Sequence, residues 1–450
     1  MSSEGGAEAR TEARLPLEGV RVLSQAIVWA GPAASLILAD LGAEVIEIES
    51  IQHVNPTRSN YRYLPELYLQ GPFGALYVDR DPSEGFWNRN AHFNYSKRNH
   101  KSVTLDIDRP EGIELLRDLV RVSDVYIENN AAGVVEKFGL DYPRLAELNP
   151  RIIQARFPGF GTTGPYRGFK GFAPTMDALG GHTFLRGYRD SDPSYTPGVA
   201  HGDPNAGIHV AFAVQAALFA RERSGRGQMI DLSHVEAGLH HISWALMDYS
   251  FNRRVRGTFG NRHPSKAPSG VFRCLDAPGE QSESSRRRWI AIAVASDEQF
   301  AALAAEMGAP ELAGDPRFAT SEVRHEHQDE LEPLIEAWTS RHVARELMER
   351  LQAAGVPATE LLRQEELREN EHLRGRGFWQ EVDHPEAGTH SYPAPVARFR
   401  ERPLRIRSHA PLLGQHNREV LQDLLGVSDE RYQQLLDDQV IGDAYLADAT

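Results

Sequence analysis

The chain has 450 residues, of which 41% are hydrophobic and 25% charged, which is typical of a globular protein with two domains or with one domain that carries an insertion. Its formal net charge of −14 argues against general nucleic-acid binding, because no surplus of basic residues is present to displace counterions. The sequence lacks an apolar run of the roughly 18 residues that a membrane helix needs, and its single cysteine excludes an intrachain disulfide and fits the reducing cytoplasm.

The N-terminal half of the sequence predicts a parallel sheet covered by helices. Residues 1–14 are small, polar and acidic, and we expect them to form a disordered tail. From residue 20 onward, short apolar strands alternate with helices, which is the pattern of βαβ units. The predicted strands are 20–23, 45–48, 103–107, 125–127, 152–157 and 229–232, and the predicted helices are 32–41, 110–121, 134–138, 143–148, 208–221 and a long helix from residue 235.

The C-terminal half predicts a smaller insertion and a return to the first domain. The segment 253–268 is basic and rich in Gly, Asn and Pro, which is typical of a linker or a functional loop. The following predicted elements are strands at 270–274 and 289–293, helices at 298–307, 327–339 and 343–354, a return through 377–382 and 410–414, and a helix at 418–425. The predicted divisions are a tail (1–14), the N-terminal part of a large domain (15–252), a linker (253–268), a small α+β domain (269–361), and a return linker with the C-terminal part of the large domain (362–450).

A carboxylate beside a predicted helix start is the most informative local feature. Asp203 lies between Gly202 and Pro204, shortly before the predicted helix 208–221. Proline suits the first turn of a helix, and the helix N-terminus favours the ionised carboxylate. Gly202 permits a tight turn and is expected to leave one side of the carboxylate open to a ligand. Such a carboxylate can act as a nucleophile, but Asp is also a common helix cap, and the motif alone leaves both roles open.

Three other site types are poorly supported by the sequence. Residues 159–164 match the G-x-G-x-x-G pattern of dinucleotide-binding proteins, but the next residues, 165–168 (Pro-Tyr-Arg-Gly), cannot open the required helix, so we reject a nicotinamide site. The adjacent His240 and His241 point to different helix faces and do not indicate a metal site. The Gly-x-Ser-x-Gly elbow of many hydrolases is missing.

A series of short segments, taken in chain order, carries a family resemblance. They include LEGVRVL at 17–23, LADLGAEVI at 38–46, KSVTLD at 101–106, NPRII at 149–153, RSGRGQ at 223–228, GNRHP at 260–264 and APLLG at 410–414. Each segment is short, but their order and spacing are specific. From about residue 17 to about residue 426, the chain resembles the family III CoA-transferases of the formyl-CoA and carnitine CoA-transferase type.

The resemblance implies a fold and a reaction. The fold is α/β, with a Rossmann-like large domain whose parallel sheet is built from both chain ends, a smaller inserted α+β domain, and a homodimer of two interlocked chains. The family's catalytic aspartate lies in a Gly-Asp-x-x-x-Gly context and falls at Asp203. Asp203 would attack an acyl-CoA thioester, form a mixed anhydride and then an aspartyl-CoA thioester, and pass CoA to a carboxylic acid. The partners are then acyl-CoA and the acid, with no metal and no permanently bound cofactor, in the cytoplasm.

The resemblance also assigns contacts to coenzyme A. The matching positions are Val28, Ala30, Leu105, Asn129, Lys137, Phe138, Lys170 and Phe172. Lys137 and Lys170 would meet phosphates, because ammonium groups are suitable donors. Two basic positions of the family are Ser50 and Asp108 here, and an aromatic position is Asn130, so part of the phosphate clamp is missing. The candidate replacements are Arg58, Arg62 and Arg98.

Three alternatives remain open from the sequence. An acyl-CoA racemase or epimerase of the same fold needs a base on each face of the substrate, but its histidine position is Phe172 here. An intramolecular CoA transferase, acting within one dicarboxylic acid, is compatible with Asp203. A non-catalytic CoA-binding subunit of a heteromer would have no chemical need for that carboxylate. Trp29 replaces a polar residue of the formyl-CoA type, which argues against formate and oxalate as substrates.

Overall fold

The computed structural model describes residues 14–192, 194–195, 201–276 and 287–450. Residues 1–13 of the predicted tail lie outside this description, as does most of the polar segment between the strands predicted at 270–274 and 289–293. The chain divides into two compact units. The first unit comprises Met1–His182, Gly198–Leu246 and Arg374–Thr450, and the second comprises Thr183–Pro197 and Met247–Leu373.

A parallel sheet of six strands lies at the centre of the first unit, in the order β3-β2-β1-β4-β5-β6. Its strands are β1 (Arg21–Ser24), β2 (Glu44–Glu49), β3 (His100–Thr104), β4 (Val125–Glu128), β5 (Ile153–Arg156) and β6 (Met229–Asp231). The order reverses at β1, which pairs with β2 on one side and with β4 on the other. In parallel sheets a crevice opens beyond the carboxyl ends of the strands at such a point, and ligands commonly bind there.

The helices surround this sheet and build the second unit. They are α1 (Ala30–Asp40), α2 (Glu66–Gln70), α3 (Ala91–Ser96), α4 (Pro110–Arg121), α5 (Val134–Lys137), α6 (Tyr142–Leu148), α7 (Ala173–Leu179), α8 (His182–Leu185), α9 (Gly202–Ser224), α10 (His234–Leu239), α11 (Ser243–Asn252), α12 (Asp297–Glu306), α13 (Ser321–Glu326), α14 (Gln328–Thr339), α15 (Ala344–Ala353), α16 (Gln364–Glu369), α17 (Glu371–Gly375) and α18 (Asp429–Asp437). A 3₁₀ turn at His240–Ile242 and a π-helical turn at Glu419–Leu424 add to these.

The sheet is buried on both faces because neighbouring strand residues point into different cores. Val22 packs with α1 and α9, whereas Leu23 packs with α4 and the C-terminal helices, and neither side chain has exposed surface. Apolar runs without alternation are typical of such parallel strands.

Three sequence expectations differ from the structure. All strands of the parallel sheet described here lie between Arg21 and Asp231, so the expectation that both chain ends supply strands is wrong. The C-terminal segment instead packs Val420 and Leu421 into the core under the sheet. The helix predicted at 208–221 begins earlier, at Gly202, and the long helix predicted from residue 235 is divided into α10, a 3₁₀ turn and α11.

The second unit contains an antiparallel sheet of β7 (Ser269–Arg273), β8 (Trp289–Ala293) and β9 (Ala358–Glu360). β7 and β8 pair antiparallel, as their apolar sequences predicted, and their inner residues pack against α12, α14 and α15. A further hairpin, β10 (Trp379–His384) with β11 (Gly388–Pro393), lies in the first unit. Within the described ranges, no helix combines the length and the apolar character required to cross a bilayer.

Candidate active site

Asp203 is the second residue of α9, and its side chain does not cap the helix. His201 occupies the N-cap position and makes no capping hydrogen bond through its side chain. Oδ1 of Asp203 is buried and accepts no hydrogen bond from any described residue. Pro204 follows within the first turn, as its fixed φ favours. The amino end of the helix favours negative charge, so this position stabilises an ionised carboxylate that could react with a ligand.

Gly207 brings the second turn of α9 against the start of α1. A Cβ atom at Gly207 would lie 2.7 Å from the backbone oxygen of Ala30 and 2.7 Å from Cβ of Ala33. Only glycine allows two helices to approach so closely here. Gly202 also lies in close quarters, because a Cβ there would meet Oδ1 of Asp177 at 3.0 Å.

His234 is the side chain that faces Asp203, and sequence reasoning missed it. Its Nδ1 lies 3.6 Å from Oδ1 of Asp203, with side-chain exposures of 6% and 10% for the two residues. Both ring nitrogens of His234 are buried without a hydrogen-bond partner among the described residues. The ring stacks on Phe157 at 6.0 Å between centroids. The only sequence signal was that His234 follows β6, whose carboxyl end lies at the same sheet edge as that of β5.

The loop between β1 and α1 is held in an unusual conformation beside this site. Ile27 exchanges two hydrogen bonds with the Asn129 side chain, at 2.8 and 2.9 Å. Val28 has a φ of 67°, a strained value for a β-branched residue. Its N–H donates to Thr57 at 3.1 Å and its carbonyl oxygen lies 3.0 Å from Nε2 of His92. These bonds fix the backbone that leads into Ala30 and α1.

A cleft of about 270 Å³ opens at the carboxyl ends of β1 to β4. Two of the residues assigned to coenzyme A, Leu105 and Phe138, line this cleft. The three positions that depart from the family pattern, Ser50, Asp108 and Asn130, line it as well. All three departures from the family's coenzyme A contacts therefore lie in one cleft.

Lys137 does not line this cleft itself, but it is paired with Asp108, which does. Its Nζ lies 3.2 Å from Oδ1 of Asp108, and Nε2 of His53 lies 3.8 Å from the other oxygen of that carboxylate. Lys137 also lies over the ring of Phe138, at 4.7 Å. An incoming phosphate would have to compete with Asp108 for this ammonium group, in the manner of any exposed ion pair.

The arginines considered as replacements have other partners. Arg58 forms a fully buried ion pair with Glu49 at 2.7 Å, and Arg98 binds Asp40 at 2.6 Å. Burial raises the pKa of Glu49, but the Arg58 guanidinium, together with hydrogen bonds from Ser102 and Asn55, outweighs this effect and holds that pKa below its ordinary value. Arg62 binds Glu84 and the backbone oxygen of Leu446. All three side chains stabilise the long segment after β2.

Lys170 and Phe172 lie outside the cleft, on the loop between β5 and α7. Both are exposed, Phe172 at 72%. Phe172 occupies the N-cap position of α7, and Asp177 of the same helix lies against Gly202. The structure therefore places this pair on the Asp203 side of the sheet edge, whereas Leu105 and Phe138 line the cleft and Lys137 is paired with Asp108 of its lining.

The described parts of the chain contain neither a metal-binding cluster nor a reactive thiol. No group of three or more His, Cys, Asp and Glu side chains is arranged there to hold a metal ion. Cys274 is buried, and burial raises the pKa of its thiol to about 12, so it is protonated at neutral pH and is a poor nucleophile.

Comparisons with known proteins agree with the sequence resemblance. The model of CoA-transferase family III matches residues 17–417. The chain is 35% identical to a succinyl-CoA–D-citramalate CoA-transferase of Chloroflexus aurantiacus, over 92% of this chain and 95% of that protein. It is 32% identical to the beta subunit of a succinyl-CoA–L-malate CoA-transferase of the same organism, over 96% and 99%. A solved CAIB/BAIF family protein from Brucella suis superposes with a TM-score of 0.76 and 30% identity, over 92% and 100%.

Proposed function

Because the chain belongs to CoA-transferase family III and is an enzyme that transfers CoA, we propose that Asp203 carries this transfer as a covalent nucleophile. The observation that carries the proposal is the state of the Asp203 carboxylate. It lies at the amino end of α9, caps nothing, and has one oxygen enclosed against His234. A buried carboxylate oxygen that accepts no hydrogen bond from the described residues is costly to maintain, which supports a functional role over a structural one.

In the first half of the proposed reaction, CoA passes from the donor thioester to Asp203. A carboxylate oxygen of Asp203 attacks the thioester carbonyl, the new C–O bond replaces the C–S bond, and CoA leaves as the thiolate. The thiolate then attacks Cγ of Asp203 in the anhydride, so that the donor acid leaves as a carboxylate and an aspartyl-CoA thioester remains. The acceptor acid repeats both exchanges in reverse and leaves as the new acyl-CoA. Acyl transfer of this kind moves no proton and no electron between enzyme and substrate.

The assigned contacts support a path for coenzyme A. The cleft at the carboxyl ends of β1 to β4 would take the nucleotide, since ligands of such sheets bind beside the strand where the order reverses. The pantetheine arm would follow the β1–α1 loop toward the start of α9, a helix that Gly207 in its second turn holds against α1. The residues proposed to contact CoA are Val28, Ala30, Leu105, Asn129, Lys137 and Phe138, with Lys170 and Phe172 on the Asp203 side.

Dicarboxylic acids are the substrates that we propose to test first. The two relatives described above are named for succinyl-CoA and for the acids citramalate and malate. Succinyl-CoA is therefore the first donor to test. Transfer within one dicarboxylic acid would use the same carboxylate and the same steps.

The geometry favours transfer over racemisation. A racemase needs two bases on opposite faces of the α-carbon, each about 3–3.5 Å from the reacting atom. The facing atoms of His234 and Asp203 are only 3.6 Å apart, which leaves no room for a substrate carbon between them. Phe172 cannot supply the second base.

We also propose that the protein forms a homodimer. On α9, Ile208, Phe212 and Phe219 share one helix face and are 55%, 72% and 62% exposed. Apolar side chains clustered in this way usually mark a protein interface. Phe212→Asp should shift the dimer to monomer in sedimentation analysis, whereas a wild-type monomer at working concentration, or a wild-type heteromer with a second chain, would contradict the homodimer.

The covalent route is tested by trapping the adduct. The protein is incubated with a panel of acyl-CoA thioesters that includes succinyl-CoA, then treated with hydroxylamine, and its peptides are mapped by mass spectrometry. We expect a hydroxamate at Asp203 that depends on the acyl-CoA and is lost in Asp203→Asn. Absence of any adduct, together with exchange of the α-proton into deuterated solvent, would refute the proposal and favour the racemase.

A further inference from the structure

His234 faces the one oxygen of Asp203 that solvent does not reach. Oδ1 is fully buried and lies 3.6 Å from Nδ1 of His234, so the 10% of the Asp203 side chain that is exposed belongs to its other atoms. Oδ2 is therefore the oxygen that can reach a thioester. The enclosed oxygen keeps its place beside the imidazole while the other forms the anhydride bond.

The position of the imidazole is fixed by its surroundings. His234 is the first residue of α10, and the Ser233 side chain caps that helix by accepting a hydrogen bond from the N–H of Glu236. The ring stacks on Phe157 with an angle of 29° between the planes. A neutral imidazole carries hydrogen on one nitrogen only, and the tautomer with hydrogen on Nδ1 presents a donor to the carboxylate. In this tautomer the buried ring points its Nδ1–H group toward Oδ1 of Asp203.

We propose that His234 is a catalytic residue that donates a hydrogen bond from Nδ1 to Oδ1 of Asp203 whenever Cγ of Asp203 is attacked. This inference rests on the proposed covalent route. When Oδ2 bridges to the acyl group, Oδ1 is the carbonyl oxygen of the aspartyl half. Attack of the CoA thiolate on Cγ forms a C–S bond and moves the carbonyl electron pair onto Oδ1. The tetrahedral intermediate then collapses, the C–Oδ2 bond breaks, and the donor acid leaves with Oδ2.

The oxygen atom on which negative charge develops determines in which steps His234 takes part. In the first step the attacked carbonyl belongs to the acyl group, so the developing charge is on the substrate oxygen and not on Oδ1. In the second step, and again when the acceptor carboxylate attacks the aspartyl-CoA thioester, the charge develops on Oδ1. No proton is transferred in any of them, so the role is stabilisation of an oxyanion and not acid–base catalysis. The distance of 3.6 Å in the resting enzyme is expected to shorten as that charge appears.

The test separates the two steps with matched variants. His234→Leu removes the donor, whereas His234→Asn keeps an amide N–H near the position of Nδ1. Wild type, both variants and Asp203→Asn are mixed with succinyl-CoA and quenched at short times, and intact-protein mass spectrometry resolves the succinyl adduct from the CoA adduct. Loss of one oxyanion donor typically costs about 10²–10³-fold in rate.

We expect His234→Leu to form the succinyl adduct at nearly the wild-type rate and the CoA adduct about 10²–10³-fold more slowly. His234→Asn should restore most of the second rate, and circular dichroism should match wild type for both variants. Unchanged formation of the CoA adduct in His234→Leu would overturn the assignment, as would equal loss of both adducts in either variant. Failure of wild type to form any adduct would refute the covalent route itself, which separates the two proposals.

Discussion

Replacing Gly207 with alanine forces α9 away from α1. The added Cβ would meet the backbone oxygen of Ala30 at 2.7 Å, Cβ of Ala33 at 2.7 Å and the backbone nitrogen of Ala34 at 2.9 Å. Comfortable contacts of carbon atoms are about 3.5–4 Å, so the two helices must separate by roughly 0.5–1 Å. All three contacts belong to the α1 backbone or to its first side-chain atoms, which cannot rotate out of the way.

Both stability and activity should suffer. Overpacking typically costs about 1–3 kcal/mol, and the better helix propensity of alanine returns at most about 1 kcal/mol, so we expect a net loss of about 1–2 kcal/mol in the free energy of unfolding. Because Asp203 lies one turn before Gly207, a displacement near 1 Å should also lower kcat by up to about 10²-fold. Urea unfolding and steady-state CoA transfer measure the two effects.

A matched control is available in α10. A Cβ at Gly238 would lie 3.6 Å from Nε2 of His182, which is an ordinary van der Waals contact. Gly238→Ala should therefore be as stable as wild type, or more stable by up to about 1 kcal/mol. If Gly207→Ala kept wild-type stability and wild-type kcat, the proposed contact between the helices that carry Ala30 and Asp203 would be refuted.

Two further predictions concern buried and exposed charge. Glu49→Gln leaves the Arg58 guanidinium buried without its counter-ion, which should cost about 3–5 kcal/mol in urea unfolding at neutral pH. The pKa of Glu49 is lowered in the folded state, so its contribution to stability is complete above its ordinary pKa and is lost as pH falls through the lowered value; a difference between wild type and variant that does not shrink in acid would contradict this. Asp108→Asn frees Lys137 for a phosphate and should lower KM for acyl-CoA with little change in kcat, more at low than at high salt; an unchanged KM would argue that the nucleotide does not bind at this cleft.

Local signals predicted much of the large unit. The helix at Pro110–Arg121 was predicted with its observed bounds, because proline opens it and apolar residues recur on one face. The β1–α1–β2 unit was predicted for similar reasons. The start of α9 was placed too late, since Gly, Pro and Asn in its first turn hide a helix that tertiary contacts extend.

Long-range contacts account for what the sequence did not reveal. His234 meets Asp203 only because β6 places α10 against the start of α9, and no local pattern indicates that meeting. Arg58 lies in a segment without periodicity and is nevertheless buried, because Glu49 at the end of β2 neutralises it. The expectation that the C-terminal segment adds strands came from the family resemblance. Val420 and Leu421, within the helix predicted at 418–425, signal burial in their sequence but do not say against which surface.

The oxygen atoms of Asp203 give the most direct test of the central claim. An acceptor acid whose carboxyl oxygens carry heavy oxygen is allowed to turn over with succinyl-CoA, and the peptide that contains Asp203 is weighed by mass spectrometry. The covalent route predicts that this peptide gains one heavy oxygen, because the bridging oxygen of the second anhydride stays with Asp203. Formation of the product acyl-CoA without heavy oxygen in that peptide would contradict the account.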